Sequence, residues 1–245
     1  MIHPIKHFKT ITHHRHLVIK YSFYCGIFWQ GLRHDLSKYS PREFNTGAKY
    51  YSGVRSPNSI EIEKIGYSLS WLHHKGRNKH HMEYWIDYGV GDGRDGQKTH
   101  RGICGMKMPI KYVAEMYVDR VSASKNYQRD KFKLDSPLQY YLKGRKYYIL
   151  NEDTKAMLEL LLVMLAVKGE DEVNHFLKYE VLKGKVPYEK EYLINLRKNL
   201  EKGSAYHLEE EQWEQKILLW WDAKTLSGRS EVPAALLLCP SDCKE

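Results

Sequence analysis

Residues 62–85 read IEKIGYSLSWLHHKGRNKHHMEYW. Ile62, Ile65, Leu69 and Leu72 step by three, four and three, the spacing of one face of an α-helix, and lead directly into His73, His74, His80, His81 and Glu83. Neutral imidazole is the commonest metal ligand in proteins, so the segment predicts a metal-binding element at a helix end. In a continuous helix His74 and His81 would lie two turns and ~10.5 Å apart, too far to share an ion. If both ligate, the helix must break between them, and Gly76 is the candidate breaker.

Helical spacing extends outward from this segment in both directions. On the N-terminal side, residues 10–24 carry Leu17, Val18, Tyr21 and Tyr24 at helical intervals, residues 27–36 continue as an apolar helix ending in His34-Asp35, and Ser40-Pro41 opens another helix. Six glycines between Gly89 and Gly105 argue for a loop, followed after Pro109 by a helix with Val113, Met116, Tyr117 and Val121. Asn151 or Asp153 can cap an apolar helix that stops at Gly169, and residues 170–182 read as its antiparallel partner. Residues 188–202 and 208–226 look amphipathic, the latter with Trp213, Trp220 and Trp221, and periodicity ends at Ser227. No β-alternation is evident. The expectation is an all-α protein: a metal-binding helical bundle over 1–184, a helical extension over 185–226 and a poorly ordered tail over 227–245.

Composition bounds the function. At 245 residues, with 42% hydrophobic side chains, the chain can bury a real core. No apolar leader stands at the N-terminus, and the longest apolar run, residues 160–167, falls far short of the ~20 residues that span a bilayer. Cys25, Cys104, Cys239 and Cys243 form no disulfide framework or zinc pattern, so a cytoplasmic protein with no membrane association is expected. The net charge of +9 favours anionic partners, whether a nucleotide, a phosphorylated small molecule or nucleic acid. Residues 1–50 hold eight Lys/Arg against two acids.

Three further positions join the histidine cluster. His14 lies four residues before Val18 on the same helix face, whereas His13 and His16 point elsewhere. The His34-Asp35 pair ends an apolar helix. Asp119 sits inside an apolar helix, where aspartate is disfavoured and needs a compensating partner, an ion-pair with Arg120 or Arg129 being the plainer alternative to a metal. These donors are nitrogen and oxygen with almost no sulfur, which suits one or two divalent ions among Mn, Mg, Fe, Co, Ni and Zn.

The order His14, His34-Asp35-Leu36-Ser37-Lys38, Asp119-Arg120 resembles the metal frame of the HD-domain superfamily, all-helical metal-dependent phosphohydrolases whose ligands run His, His-Asp, Asp. The longer string from His34 to Phe44, with His73-His74, Asn78, His80-His81 and Glu83, resembles a bacterial and phage domain family of unknown function, over roughly residues 8–180. The resemblance implies a first metal on His14, His34, Asp35 and Asp119, and a second, bridged by Asp35, on His74 with His80 or His81. One departure stands out: in the dinuclear branches the extra histidines come from well-separated segments. Asp35 and Lys38 would be catalytic, and Lys38, Arg77 and Asn78 would contact substrate.

A divalent ion between such ligands lowers the pKa of a bound water towards ~7 at a site that can also stabilise phosphoryl oxygens. The expected function is therefore a metal-dependent phosphohydrolase or phosphodiesterase acting on a nucleotide or phosphorylated small molecule. The alternatives are a di-iron oxygenase of the same superfamily, or a non-catalytic helical protein that binds nucleic acid through its basic N-terminal half. A His-Asn-His nuclease reading of His74, Asn78 and His81 lacks the strands that motif requires. Gly89-Val90-Gly91-Asp92-Gly93 is a weak phosphate-loop lookalike and reads better as a lid or linker.

Overall fold

The computed structural model describes residues 2–91 and 101–209. The expected helix over 208–226, the tail from Ser227 and the centre of the glycine-rich loop lie outside the described residues. Within them the chain is mainly α-helical, with ten α-helices and one small sheet. No described helix is long and apolar enough to cross a membrane.

The core is built around α8 (Glu152–Lys168), in which every residue from Thr154 to Leu165 is buried. A helix that is apolar all round is stable only when surrounded, and α6 (Ile110–Gln128), α7 (Ser136–Gly144), α9 (Glu170–Phe176) and α10 (Lys190–Glu201) pack against it. Asn151 caps its N-terminus by accepting from the backbone N–H groups of Asp153 and Thr154, and Gly169 ends it at φ 90°. One acid is buried in this apolar shaft. Glu159 accepts from Tyr141 Oη at 2.9 Å and from Arg145 Nε at 2.7 Å, and it also pairs with Arg197, which is fully buried on α10. That pairing locks α10 onto the core.

A second layer carries the polar centre. Helix α1 (Pro4–Tyr24) buries His7, Ile11, His14, Val18 and Tyr21, a stripe spaced four, three, four, three, and packs on α6, α2 (Phe28–Arg33) and α3 (Pro41–Lys49). Helices α1 and α3 approach so closely that a Cβ on Gly47 would lie 2.1 Å from His7 Nε2. Helix α3 in turn contacts α4 (Pro57–Ile65) and α5 (Leu69–Lys75).

Two local expectations are corrected. The stripe Ile62, Ile65, Leu69, Leu72 does not lie on one buried helix face: Gly66, at φ 83°, ends α4, and the Ser68 side chain caps α5 by accepting from Trp71 N. Ile65, Leu69 and Leu72 are about half exposed, while Ser59, Glu61, Ser70 and His74 face inward, Glu61 accepting from the Ser68 hydroxyl. The glycine-rich stretch is also not all loop. β1 (Ile86–Gly89) pairs antiparallel with β2 (Gly102–Gly105), Ile86 opposite Gly105. Four-residue strands are too short to show alternation. Gly105 is required there, because a Cβ would meet Asn151 N at 2.6 Å.

Glu159→Ala is expected to destabilise the protein by roughly 3–5 kcal/mol, because it leaves two guanidinium groups buried without their carboxylate. Chemical denaturation monitored by circular dichroism measures this; a loss below about 1 kcal/mol would contradict the proposed locking of α10.

Candidate metal centre

Backbone turns, more than helix faces, aim the central ligands. Helix α2 ends at Arg33, His34 adopts an extended ψ of 130°, and Asp35 is left-handed at φ 53°. Left-handed geometry strains most side chains but is tolerated by aspartate, and it recurs at functional sites. The 3-10 turn Leu36–Tyr39 follows and brings Lys38 back over Asp35, with Nζ 2.6 Å from Oδ2. In the histidine segment α5 stops at Lys75. Gly76 there is ordinary right-handed backbone; the Asn78 side chain, donating to the His74 carbonyl at 2.8 Å and to Ser37 Oγ at 2.8 Å, organises the turn. His80 and His81 therefore leave the helix and fold back, bringing His81 Nε2 to 2.9 Å from His74 Nε2.

Three groups of donor atoms result among the described residues: Asp35 belongs to two of them, and the third is made of His34, His80 and Glu115. Asp35 Oδ2 lies 3.2 Å from His34 Nε2 and 4.0 Å from His14 Nε2, and Asp119 Oδ1 lies 3.0 Å from His14 Nε2 and 3.5 Å from His34 Nε2. Asp35 Oδ1 lies 3.3 Å from His74 Nε2 and 3.5 Å from His80 Nε2. In each of the two groups that share Asp35, His14/His34/Asp35/Asp119 and Asp35/His74/His80/His81, the donor atoms fall within 4.8 Å of one another and could hold a metal ion. Two ligands ~2.1 Å from one ion stand ~3.0–3.4 Å apart at octahedral to tetrahedral angles, and the contacts of His14 with Asp119 at 3.0 Å, His34 with Asp35 at 3.2 Å and His74 with Asp35 at 3.3 Å match that spacing.

The donor set fits an ion for a second reason. His14 Nε2, His34 Nε2, His80 Nε2 and Asp35 Oδ1 are buried with no aligned hydrogen bond, and Asp35 Oδ2 carries the Lys38 ammonium as its nearest cation. Buried polar atoms are ordinarily paired, and a concentration of unpaired acceptors aimed at one another calls for a cation. The outer ring nitrogens explain why the inner ones are bare. His34 Nδ1 and His80 Nδ1 donate to Glu115 Oε1 at 2.9 and 3.2 Å, and His74 Nδ1 donates to Glu43 Oε2 at 2.7 Å. Each carboxylate fixes the tautomer and leaves Nε2 as the free lone pair, the usual support of a metal-ligating histidine. Gln30 completes Glu115 by donating to its other oxygen.

Charge is strongly polarised. Burial works against ionising Asp35, yet His34, Lys38 and His74 hold its carboxyl well below the usual range; His14 and His34 do the same for Asp119. Glu115, opposed by burial, is drawn down to about 2 by His34 and His80. Burial opposes charge on His34 and His74 as well, but their carboxylate neighbours raise both. For His14 and His81 burial dominates and lowers the pKa.

The other expected site residues are distributed as follows. His73 donates to Glu43 Oε1 at 2.6 Å and belongs to none of the donor groups. His13 turns away from the centre to Asn126. Arg77 is exposed, bonded to the His73 carbonyl, and Asn78 is engaged in the turn beneath the histidines, so neither lines the space beside the cluster. Both side chains bond to the backbone of the histidine segment. Glu115 and Glu43 were not singled out from the sequence. Glu115 lies one helical turn before Asp119, a spacing that signals a shared face; Glu43 has no comparable local signal.

Two cavities open onto the centre. One of about 410 Å³ is lined by His80, His81 and Asp119 together with Trp71, Tyr127, Tyr140 and Arg120. A smaller one of about 130 Å³ reaches Lys38, Glu43, His74 and His81, and shares Trp71 and Tyr127 with the first.

A family of unknown function, DUF5662, matches residues 3–164. The chain belongs to DUF5662. The matched span contains every residue of the donor groups and ends inside α8, so α9 and α10 lie beyond it. No curated protein and no solved structure matches the chain.

Metal binding should depend on pH in a defined direction. His34 and His74, raised in the fold, stabilise metal-free protein below the unfolded value of ~6.5, and that contribution is lost as pH rises through their folded values, where an ion can replace the protons. Manganese at about 100-fold excess over its Kd should raise Tm by about 5–10 °C at pH 8 and by clearly less at pH 6. An equal or larger rise at pH 6 in differential scanning fluorimetry would contradict imidazole ligation.

Proposed function

We propose that this DUF5662 protein is a metal-dependent phosphohydrolase or phosphodiesterase acting on a nucleotide or phosphorylated small molecule. The observation that carries the reading is the position of Asp35, buried and shared between two groups of converging ligand atoms beside a cavity of about 410 Å³. That volume lies in the ordinary range of small-molecule sites. His14, His34, Asp35 and Asp119 would hold one divalent ion and His74, His80 and His81 a second, with Asp35 shared. Such ions supply an activated water near neutral pH and stabilise charge on phosphoryl oxygens. The ligand order resembles that of the HD-domain phosphohydrolases, which favours hydrolysis of a phosphoric ester over other uses of the same donors.

The remaining roles fall to the chain's own side chains. Lys38, half-buried on Asp35, places a positive charge beside the shared carboxylate, where it can meet a phosphate oxygen once an ion has taken over Asp35. Glu115 and Glu43 hold three imidazoles in one tautomer. Trp71 and Tyr127, common to both cavities, offer faces on which a planar base can rest.

The test is elemental analysis of purified protein followed by a panel of phosphomonoesters and phosphodiesters with each candidate divalent ion. Asp35→Ala is expected to abolish both metal content and turnover. Lys38→Ala should retain metal and lose about 10²–10³-fold in kcat, the loss typical of removing one charge-stabilising donor. Turnover in metal-free Asp35→Ala protein would overturn the mechanism.

A further inference from the structure

Arg120 follows the ligand Asp119 on α6 and lines the larger cavity with His80, His81 and Asp119. Its guanidinium stacks over two tyrosine rings, 5.7 Å from the centroid of Tyr141 and 5.4 Å from that of Tyr148. No described carboxylate lies within 4.0 Å of it, and its Nε is buried without a hydrogen-bond partner. Two acids line the same cavity. Asp119 is taken up with His14 and His34, and Glu83, on the same cavity wall, makes no ion pair with Arg120 and leaves its own Oε2 unpaired.

This contrasts with the two arginines buried in the core, Arg120 itself being partly buried against the cavity. Arg145 and Arg197 both pair with Glu159. A buried cation without an anion is costly, and stacking on aromatic faces offsets only part of that cost. A guanidinium is planar by delocalisation, and one seated beside two rings presents its remaining N–H groups as a fork, the geometry that matches two oxygens of a phosphate.

We propose that Arg120 is a substrate-binding residue that receives the anionic oxygens of a phosphate group in the larger cavity, next to the metal ligands. The proposal rests on the phosphohydrolase reading for the identity of the anion, and it adds the group that selects phosphate independently of any metal. Tyr141 and Tyr148 position the fork, and Trp71, Tyr127 and Tyr140 line the same cavity for the rest of the substrate.

The experiment is calorimetric titration of the full-length protein with inorganic phosphate, with and without Mn(II), for wild type, Arg120→Met and Arg120→Lys, metal stoichiometry being measured on the same samples. Arg120→Met keeps the apolar stem between the rings, and Arg120→Lys keeps the charge without the fork, guarding against a misfolded variant. The expected result is a loss of about 10- to 100-fold in phosphate affinity for Arg120→Met, with metal content unchanged and a smaller loss for Arg120→Lys. Phosphate affinity equal to wild type in Arg120→Met, or no phosphate binding by wild type in either state, overturns the proposal. Wild type that holds no Mn(II) yet binds phosphate through Arg120 supports the anion site while removing the metal-dependent hydrolase reading, so the two failures are distinguishable.

Discussion

The carboxylate of Asp35 is buried with neither oxygen in an aligned hydrogen bond, and most of the second layer of the protein is arranged around that unmet demand. One oxygen faces the histidines of α1 and the α2 terminus; the other faces those of the turn after α5. Asp35 reaches both from a left-handed backbone, φ 53°, a conformation that aspartate adopts more readily than most residues. The outer nitrogens of His34, His74 and His80 are committed to Glu43 and Glu115, which leaves their inner nitrogens to meet Asp35 either as N–H donors or, once deprotonated, as ligands to an ion. Four buried or half-buried acids, Asp35, Glu43, Glu115 and Asp119, thus meet in one place with Lys38 as the nearest ammonium. In a protein interior that concentration of charge is retained only if cations complete it.

The fold reads from the sequence where one helix face is apolar and long. Helix α8, with Asn151 at its start and Gly169 at its end, and the α1 stripe through His14 and Val18 needed nothing beyond periodicity and capping. Periodicity misled at residues 62–72, where the hydrophobic spacing is real but Gly66 and Ser68 divide it between two short helices whose inward faces are polar. There the burial of Glu61, Ser70 and His74 is decided by what α3 and the metal centre require, which no local pattern announces. The hairpin escaped notice because its strands are four residues long and rest on backbone pairing and on a glycine pressed against Asn151.

For the centre, legibility follows ligand chemistry. Histidines are rare enough that four within residues 73–81 mark a site by themselves, whereas acids are common on any helix. Glu115 and Glu43 matter only through the ring nitrogens they meet across the fold, at separations of 81 and 31 residues from His34 and His74. Asn78 illustrates the converse: its position among the histidines suggested a contact with substrate, while its amide is what ends the helix and lets His81 return to His74. Arg120 shows the same dependence on tertiary context, since only the two tyrosines from α7 and the turn after it, with no described carboxylate paired to the guanidinium, distinguish it from an ordinary surface arginine.

The most direct test of the account is a crystal structure of the Mn(II)-soaked protein with anomalous difference density. The account predicts two peaks flanking Asp35, one against Oδ2 with His14, His34 and Asp119, the other against Oδ1 with His74, His80 and His81. No peak within bonding distance of Asp35 at saturating metal, with Lys38 still seated on its carboxylate, would contradict it.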